Sequence, residues 1–508
     1  MTGASKPETE SARQFAAWLA ALFLVVLGAK LWVIQAYGTD IPYWDQWDEA
    51  GNVFKPWVEG HLTWGALFAP HNEHRIFFTR VLDLFEIWLN GQWDPMLQMV
   101  VAAMIHAGYA CGLAWCLWAF TGRRHQALIC LLIIPFFALP FAAENTIHGF
   151  QSQMYFLSIF SLIAMLGLGL EKPGTMRWYG GLLAAVMALF TMGSGLLASL
   201  AVMGLMIIRG LREKRIRRDW LIIAGCAVTV FAVGLALNVT PEQSRQFRTH
   251  SPLVFIDALM RNLAWPFWDQ PPLLFLAGLP LVIVFVKYLR SDLKNVRGAE
   301  FVLMLGFWGL LQSAGLAFSR SGLGNSSRYM DTLCTIPIAS AAGWFVLADD
   351  IDFRPWKRRG MLMAWSGLML FGLWLNTEKT LADYLPWSQK WGLIEEKNVR
   401  AFVSTDDTAC LMHQPQMAVP YWSPEKLVEL LRDPDLQKIL PPACRRPMKA
   451  DHQSRVAAGE IKEMGWLSPY VLKLLDHAVA ILIVGFCMIV ILVGGGLIAL
   501  CRKGERQH

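Results

Sequence analysis

Long apolar runs separated by short charged segments constrain the fold of this chain more than any other feature of its sequence. Each run is long enough, or nearly so, to cross a hydrocarbon core of about 30 Å. Only 17% of the 508 residues are charged and 55% are apolar, whereas about a quarter of the residues in soluble domains are charged. The pattern therefore predicts an all-α polytopic membrane protein.

About twelve runs have this character, and we predict a transmembrane helix for each. The predicted helices are 15–36, 96–120, 126–143, 153–170, 178–192, 194–209, 220–238, 271–289, 299–319, 331–348, 360–376 and 477–501. The pair 178–192 and 194–209 could instead be one long helix. A break is favoured because glycine and serine in Met192-Gly-Ser-Gly195 interrupt helices, and because one helix there would invert every later loop.

Lys and Arg are concentrated in alternate loops, and this bias predicts the orientation of the chain. The loop 209–218 and the tail after 501 are rich in basic residues, whereas the loop 144–152 has none. Both termini are therefore predicted to be cytoplasmic, in a bacterial-type inner (plasma) membrane. The basic residues lie beside apolar segments, so membrane lipids are expected partners and nucleic acid is not.

The predicted crossings divide the chain into three parts. Residues 1–376 form a transmembrane core with a long first outer loop, 37–95, and 377–476 form a small mixed outer domain. Residues 477–508 form the last helix and a cytoplasmic tail. The outer domain contains Cys410 and Cys444, which could form one disulfide in an oxidising compartment or remain two unpaired thiols.

The densest polar region lies in the first outer loop, which contains Trp44, Asp45, Trp47, Asp48 and Glu49. Aromatic faces pack on the apolar faces of sugar rings, and carboxylates accept hydrogen bonds from hydroxyl groups. A carboxylate here can also act as a general base or hold a divalent cation. Alternatively, the tryptophans anchor the chain at the membrane interface and the acids cap the following helix.

A second polar group follows in the same loop, at His71, Glu73, His74 and Arg75. The spacing of the two histidines predicts that they share a helical face, where they could bind substrate. Zinc also commonly takes His and carboxylate ligands. The alternative is a set of polar side chains at the mouth of a helix.

Two shorter outer loops complete the set of candidate residues. Glu144, His148 and Gln151 lie in a loop without cations, where we expect them to line a cavity, with helix capping as the alternative. Arg320, Arg328 and Tyr329 are substrate-binding candidates in a loop of small residues. Arginine forks match phosphate oxygens, although an arginine at this depth can also simply bind lipid headgroups.

Several familiar motifs are missing from the sequence. There is no G-x-x-x-x-G-K-[ST] phosphate loop, no H-E-x-x-H zinc helix and no G-x-S-x-G elbow, so an ATP-driven pump is not indicated. Transporters usually carry ionisable residues or helix breaks at mid-membrane, whereas most such residues here lie at the outer ends of helices. This distribution favours an enzyme that works at the outer surface.

In this arrangement the chain resembles the polytopic glycosyltransferases of the GT-C fold, which use polyprenyl-phosphate-linked sugars. The shared plan is an inner N-terminus, a first outer loop with acidic residues, many further crossings and often an outer soluble domain. The chain differs in having Asp45-Gln-Trp-Asp48 in place of an adjacent Asp pair, and in having a helix after the soluble domain.

The resemblance implies that a sugar moves from a polyprenyl-phosphate donor to a glycan or lipid acceptor of the cell envelope. It implies a catalytic base at Asp45 or Asp48, and cationic groups for the leaving phosphate at Arg328 and Arg320, with Arg75 in reserve. Two other classes fit the topology. An enzyme like the O-antigen ligases or polymerases would use a lipid-diphosphate donor without an essential first-loop acid, and a lipid or saccharide transporter would form no glycosidic bond.

Overall fold

The computed structural model describes residues 6–122, 125–321, 326–348, 355–446 and 465–505, and the regular elements in these ranges are helical. The first half contains α1 (Lys6–Tyr37), α2 (Asp45–Glu49), α3 (Lys55–Val58), α4 (Trp64–Phe68), α5 (Phe77–Asn90), α6 (Pro95–Thr121), α7 (Gln126–Ala138), α8 (Glu144–Ile147), α9 (Ser152–Ala164), α10 (Met176–Ala188), α11 (Leu197–Glu213) and α12 (Arg218–Leu237). The second half contains α13 (Glu242–Arg245), α14 (Pro252–Ala264), α15 (Leu274–Leu289), α16 (Val296–Ser319), α17 (Met330–Leu333), α18 (Thr335–Leu347), α19 (Pro355–Lys379), α20 (Leu385–Thr405), α21 (Ala409–Met412), α22 (Pro424–Arg432), α23 (Ser468–Asp476) and α24 (Ala478–Glu505).

Nine helical segments in these described ranges are long and apolar enough to cross a membrane, which indicates a membrane protein. They are Ala12–Tyr37, Pro95–Thr121, Gly149–Gly169, Gly193–Glu213, Arg218–Leu237, Pro271–Leu289, Val296–Ser319, Ser327–Leu347 and Ala478–Gly495. Each of them coincides with one of the predicted crossings.

The remaining three predicted crossings fall on helices outside this group of nine. The prediction 126–143 falls on the shorter apolar segment Gln126–Ala142. The prediction 178–192 falls on α10, which has only 13 residues. The prediction 360–376 falls on α19, where Trp, Ser and Gly residues are mixed with the apolar ones.

The chain turns sharply between α10 and α11. A helical turn of the 3-10 type, Gly193–Leu196, separates the two helices. A side chain on Gly195 would overlap the carbonyl oxygen of Ala188, so the turn needs glycine at this position. The region 178–209 is therefore two helices and not one.

The first and last spanning helices, α1 and α24, pack closely against each other. A Cβ atom on Gly28 would lie 2.6 Å from the backbone nitrogen of Leu482, and one on Gly485 would lie 2.8 Å from that of Val25. Small residues at such crossings let helix backbones approach in a membrane. The C-terminal helix thus closes the bundle against the N-terminal one.

The first outer loop and the segment after α19 share one apolar core. Trp47, Phe54 and Trp93 of the loop are buried together with Phe402 and Tyr421 of the later segment. The sequence analysis treated these two segments as separate units. We call this combined unit, residues 41–93 and 399–444, the outer cluster.

The predicted mixed character of the 377–476 domain is wrong. Its described parts, 377–446 and 465–476, contain helices and turns but no strand. A π-helical turn, Thr380–Tyr384, joins α19 directly to α20, so the predicted start of the domain lies within a continuous helix. Val399 and Val403 are buried on α20, and their i, i+4 spacing suits a helix face.

The predicted disulfide is not formed in the structure, where Cys410 and Cys444 are both free thiols. Cys444 is fully buried in the outer cluster, and this burial raises the pKa of its thiol. The thiolate is the form that attacks another sulfur. A buried, neutral thiol is therefore a poor partner for disulfide formation.

The loops predicted to lie outside the membrane meet at one end of the bundle, which we call the polar end. Arg75 of the first loop donates to the carbonyl oxygen of Leu237 at 3.1 Å, and the backbone N–H of Gly193 donates to His74 at 2.9 Å. Contacts between loops that are distant in sequence thus build a single polar surface.

Candidate functional site

The acidic segment of the first loop is held by an unusual backbone turn. Trp44, just before α2, has a φ of 47°, a left-handed conformation that is uncommon for a residue other than glycine. Its backbone N–H donates to Pro420 of the outer cluster at 2.8 Å. The Trp44 ring is 38% exposed, whereas Trp47 is fully buried and donates to the carbonyl oxygen of Pro42. Trp44 can therefore contact a ligand, and Trp47 is a core residue.

A row of charged side chains runs from Asp45 into the protein interior. The Nε2 atom of His71 lies 3.6 Å from Asp45, and its Nδ1 atom lies 3.0 Å from Glu49. Glu49 in turn accepts two hydrogen bonds from Arg80, at 2.7 and 2.9 Å. Glu49 and Arg80 are almost fully buried. Glu49, which was predicted to bind substrate, therefore contacts His71 from the buried side. Asp45 contacts the other side of His71 and remains partly exposed.

The charges within this row of side chains keep Asp45 and Glu49 ionised. Burial disfavours the charged form of Asp45, but the proximity and charge of His71 outweigh it and lower the pKa of Asp45. For Glu49, burial is outweighed in the same way by His71 and Arg80, and its pKa is lowered. For His71, burial is outweighed by the two carboxylates, which raise its pKa to about 10. At neutral pH, His71 is therefore an imidazolium between two carboxylates.

We expect the charge of His71 to make stability fall in alkaline solution. Its pKa is about 10 in the folded chain and about 6.5 when unfolded. The stabilisation is therefore complete below the unfolded pKa and is lost as pH rises towards the folded pKa. Thermal melting in detergent with EDTA, across this pH range, should show the loss in wild type and a smaller loss in His71→Gln. Equal pH dependence in both proteins would contradict this, and the exposed His413→Gln is the control.

Asp48 contacts the outer cluster as well as lying near Asp45. One of its carboxylate oxygens accepts a hydrogen bond from the Tyr421 hydroxyl at 2.5 Å and lies 3.4 Å from the Lys426 ammonium. Asp48 thus ties the acidic segment to the outer cluster, while Asp45 has no such tie. This difference favours Asp45 over Asp48 as the reacting acid.

Asp45, Asp48 and His71 could together hold a cation, since one ligand atom from each lies within 4.8 Å of the others. The Nε2 atom of His71 is buried and has no hydrogen-bond partner. Zinc accepts this combination of one imidazole and two carboxylates. The residues therefore fit a divalent cation, which would have to displace the proton from His71.

His71 and His74 do not share a helical face, so that prediction is wrong. They form a tight turn in which each backbone N–H donates to the other residue, at 2.8 and 2.9 Å, with Asn72 at a φ of 50°. The two side chains consequently take part in different contacts. Glu73 forms an ion pair with Arg320 and accepts a hydrogen bond from Ser244 at 3.0 Å.

Two of the predicted binding residues have structural contacts. Arg75 donates to the carbonyl oxygens of Leu237 and Phe68, so its guanidinium links the first loop to α12. Gln151 is buried and lies 3.5 Å from the amide of Gln153. Neither side chain is directed into a cavity described below.

Glu144 and Arg328 form an ion pair between two loops. Glu144 also accepts a hydrogen bond from Ser326 at 2.9 Å. Burial disfavours its charged form, but the positive charge of Arg328 prevails and lowers the pKa of Glu144. His148 stacks on Tyr43 at 4.4 Å between ring centroids. Through His148, the first of these two loops therefore reaches the segment just before the first-loop acids. Residues Gly322–Asn325 of the second loop lie outside the described residues.

An amphipathic cavity of about 320 Å³ opens beside these groups at the polar end. Four of the predicted residues line it, namely Glu73, His74, Arg320 and Tyr329. The deeper wall is apolar and comes from α11 and α12, including Leu200, Phe231 and Leu235. Such a cavity offers polar groups at its mouth and hydrocarbon contacts below.

Arg248 also lines this cavity, and the sequence analysis missed it. It donates to Thr240 at 2.7 Å, and its guanidinium lies 5.4 Å from the ring centroid of Phe318. Among the described residues it has no carboxylate partner, in contrast to Arg320, which pairs with Glu73. The signal that could have found it is an arginine in a polar outer segment just after an apolar run.

A second group that the sequence analysis missed lies inside the bundle. Lys30 of α1 is buried and donates to Thr146 at 3.2 Å. Asp331 accepts a hydrogen bond from Asn145 at 2.9 Å and lies 3.9 Å from His106 of α6. Although most ionisable residues were expected at the outer ends of helices, Lys30, His106 and Asp331 lie within the spanning segments. Asn145 and Thr146 follow Glu144 in sequence, and Asp331 follows Arg328. Their contacts therefore hold the two loops against the bundle.

No known family model, curated protein or solved structure matches this chain.

Proposed function

We propose that the chain is a membrane glycosyltransferase of the GT-C type. It transfers a sugar from a polyprenyl-phosphate donor to a cell-envelope glycan or lipid on the non-cytoplasmic face. The observation that carries the proposal is the lining of the amphipathic cavity, which combines Arg248 and Arg320 with an apolar wall. The cavity also contains His74, which shares a tight turn with His71, the partner of the ionised Asp45. A phosphate attached to a hydrocarbon chain has the matching chemistry, because arginine binds phosphate oxygens and the apolar wall suits an isoprenoid.

In the proposed reaction an acceptor hydroxyl oxygen attacks the anomeric carbon of the donor sugar. The bond from that carbon to the phosphate oxygen breaks, and polyprenyl phosphate leaves with the electron pair. Asp45 accepts the hydroxyl proton. His71 holds Asp45 in place and, with the charges near it, keeps it ionised in the resting state. The donor bond supplies the energy, so no nucleotide site is required.

A divalent cation fits the same proposal. Asp45, Asp48 and His71 would hold it, and when bound it would neutralise negative charge that develops on the leaving phosphate. Arg248 and Arg320 would perform part of this role through their own charges. In either case Glu49 and Arg80 fix the imidazole from the opposite side.

Arg248→Ala should weaken use of the donor. A charge-assisted hydrogen bond contributes about 1.5–3 kcal/mol, which corresponds to a rise in KM for the donor of roughly 10- to 150-fold. Arg248→Lys should recover only part of the loss because lysine lacks the planar fork. Proteoliposomes with a radiolabelled polyprenyl-phosphate sugar provide the assay. The exposed Arg245→Ala is the matched control, and an equal KM in both alanine variants would contradict the role of Arg248.

We further propose twelve crossings with both termini in the cytoplasm of a bacterial-type inner membrane. Activity reporters fused after Arg218 and after Arg359 should read cytoplasmic, and fusions within 385–446 should read outside. This follows from the distribution of basic residues among the loops and from the meeting of the acidic loops at the polar end. A cytoplasmic signal from the outer cluster would place the acids on the wrong side for this donor.

A saccharide or lipid transporter is the second candidate, and a specific observation favours it. Lys30 and His106 are buried within spanning segments, as is most of the Asp331 side chain, and ionisable residues in such positions often serve transport. A transporter would move the labelled donor across the liposome membrane without forming a glycosidic bond. Product analysis in the same proteoliposomes separates the two functions.

A further inference from the structure

A second cavity, of about 240 Å³, is lined by Tyr43, which lies just before the acidic segment in the sequence. It is bounded by the outer end of α1, by His148 and by one face of α20. The residues named in the proposed reaction do not line this cavity. Its position between the membrane bundle and α20 leaves it accessible from the non-cytoplasmic side in the proposed orientation.

Aromatic rings form much of its wall. Tyr43, Tyr384, Trp387 and Trp391 all line the cavity. Tyr43 is stacked on His148, and the rings of Tyr384 and Trp387 are 6.1 Å apart. Aromatic side chains expose an apolar face together with a polar edge or tip, which suits a ligand with alternating C–H and hydroxyl groups.

The charged lining is entirely acidic. Asp40, Glu395 and Glu396 line the cavity, and none of the described lining residues is Lys or Arg. Glu395 is only 4% exposed and makes no hydrogen bond to another described residue, so its carboxyl group is available to a ligand. Burial raises the pKa of Glu395 to about 8, and a carboxyl group that is protonated at neutral pH can donate a hydrogen bond as well as accept one.

We propose that this cavity binds the acceptor, and that the acceptor is a saccharide with hydroxyl or amino groups and no acidic groups. This inference rests on the proposed function. Rings would stack on the aromatic wall, hydroxyl groups would bond to Glu395, and an amine would be attracted by the acids. A phosphate or uronic acid would meet the Asp40 side chain and no lining cation, which disfavours it; Glu396 is already paired with Arg400, outside the lining.

The cavity lies next to the group that would take the acceptor proton. Tyr43, in its wall, precedes Asp45 by two residues and stacks on His148, which also lines the cavity. The amphipathic cavity contains His74, which shares a tight turn with His71, the partner of Asp45. Asp45 is therefore linked through Tyr43 to the aromatic, acidic cavity and through the His71–His74 turn to the amphipathic, cationic one.

The test is direct binding of the detergent-solubilised full chain to an array of defined neutral, amino and acidic saccharides. We expect the bound set to contain neutral or amino saccharides. Trp387→Ala should lower their affinity about tenfold or more, and Trp64→Ala, which alters an exposed ring outside the cavity, should not. Ser388→Trp, which fills the cavity from α20, provides a second variant if Trp387→Ala folds poorly, as judged by its melting temperature.

Binding that is confined to acidic saccharides, absent from all saccharides, or insensitive to both cavity variants would overturn the inference. The readout needs no catalysis, so it is independent of the proposed function. Saccharide binding without any sugar transfer would contradict the glycosyltransferase proposal but support the saccharide site. Sugar transfer to a lipid acceptor without saccharide binding would support the glycosyltransferase proposal and contradict the saccharide site.

Discussion

Asp45→Asn should reduce sugar transfer by about 10²- to 10⁴-fold, the usual cost of losing a general base. This corresponds to a barrier higher by roughly 3–5 kcal/mol. Asparagine keeps the shape and hydrogen-bonding capacity of the side chain but cannot take the hydroxyl proton. We expect the variant to remain folded in the membrane, since Asp45 is partly exposed and lies 3.6 Å from its nearest charged partner, His71. Initial rates in proteoliposomes measure the effect.

Two variants sharpen this result. Asp407→Asn, on the exposed surface after α20, should leave transfer unchanged. Asp48→Asn should cost less than Asp45→Asn, because Asp48 is already engaged by Tyr421 and Lys426. If Asp48→Asn alone is inactive, the roles of the two acids are reversed. If Asp45, Asp48 and Glu49 can be neutralised together without loss of transfer, the acids are structural and the mechanism is wrong.

Arg80→Met should destabilise the folded protein by about 3–5 kcal/mol, the usual cost of breaking a buried ion pair on one side. Arg80 is 2% exposed and holds Glu49 through two hydrogen bonds. It also donates to the carbonyl oxygens of Ala66, Leu67 and Ala69, at 3.0, 3.1 and 2.6 Å. The substitution would leave a buried carboxylate and these carbonyl groups without a donor. Unfolding in mixed detergent micelles measures the loss.

The matched control is Arg217→Met, which removes an exposed pair with Glu213 at similar distances, 2.9 and 2.6 Å. Exposed pairs contribute about 0–1 kcal/mol, so this variant should be nearly neutral. Adding Glu49→Gln to Arg80→Met should recover part of the lost stability by removing the uncompensated charge. Equal stability of Arg80→Met and Arg217→Met would show that the buried pair does not hold the site together.

The sequence was most informative about the positions of the long apolar helices. Apolar runs mark helices because the hydrocarbon core leaves no alternative partner for the backbone, and the nine spanning candidates coincide with predicted runs. The first-loop acids were also recognisable, since Asp45, Asp48 and Glu49 are adjacent in the chain. Their different roles were not, because Asp48 depends on Tyr421, which is 373 residues away.

The helix α5 shows why Arg80 could not be found from the sequence. It buries Arg80, Asp83 and Glu86 and exposes Phe85 and Trp88, which is the reverse of a helix on a soluble protein. An exposed aromatic face suits contact with lipid at the membrane interface. A sequence pattern distinguishes the polar face of such a helix from its apolar face. It does not tell which face packs against the rest of the protein.

Lys30 was hidden for a related reason. It lies towards the end of a long apolar run, where a lysine usually extends to the membrane surface. Its actual partner is Thr146, 116 residues further along the chain, and only the packing of α1 against α8 brings the two together. Long-range pairs of this kind are decided by tertiary structure, and a single sequence carries no record of them.

The glycans of the cell envelope provide the most direct test of the proposed function. Mass spectrometry would compare cells that lack this protein with cells that contain the wild type or Asp45→Asn. We predict that one glycan loses the mass of a pentose or hexose without the protein, that wild type restores it and that Asp45→Asn does not. Identical glycans in all three strains, or full restoration by Asp45→Asn, would contradict a sugar transfer that depends on Asp45.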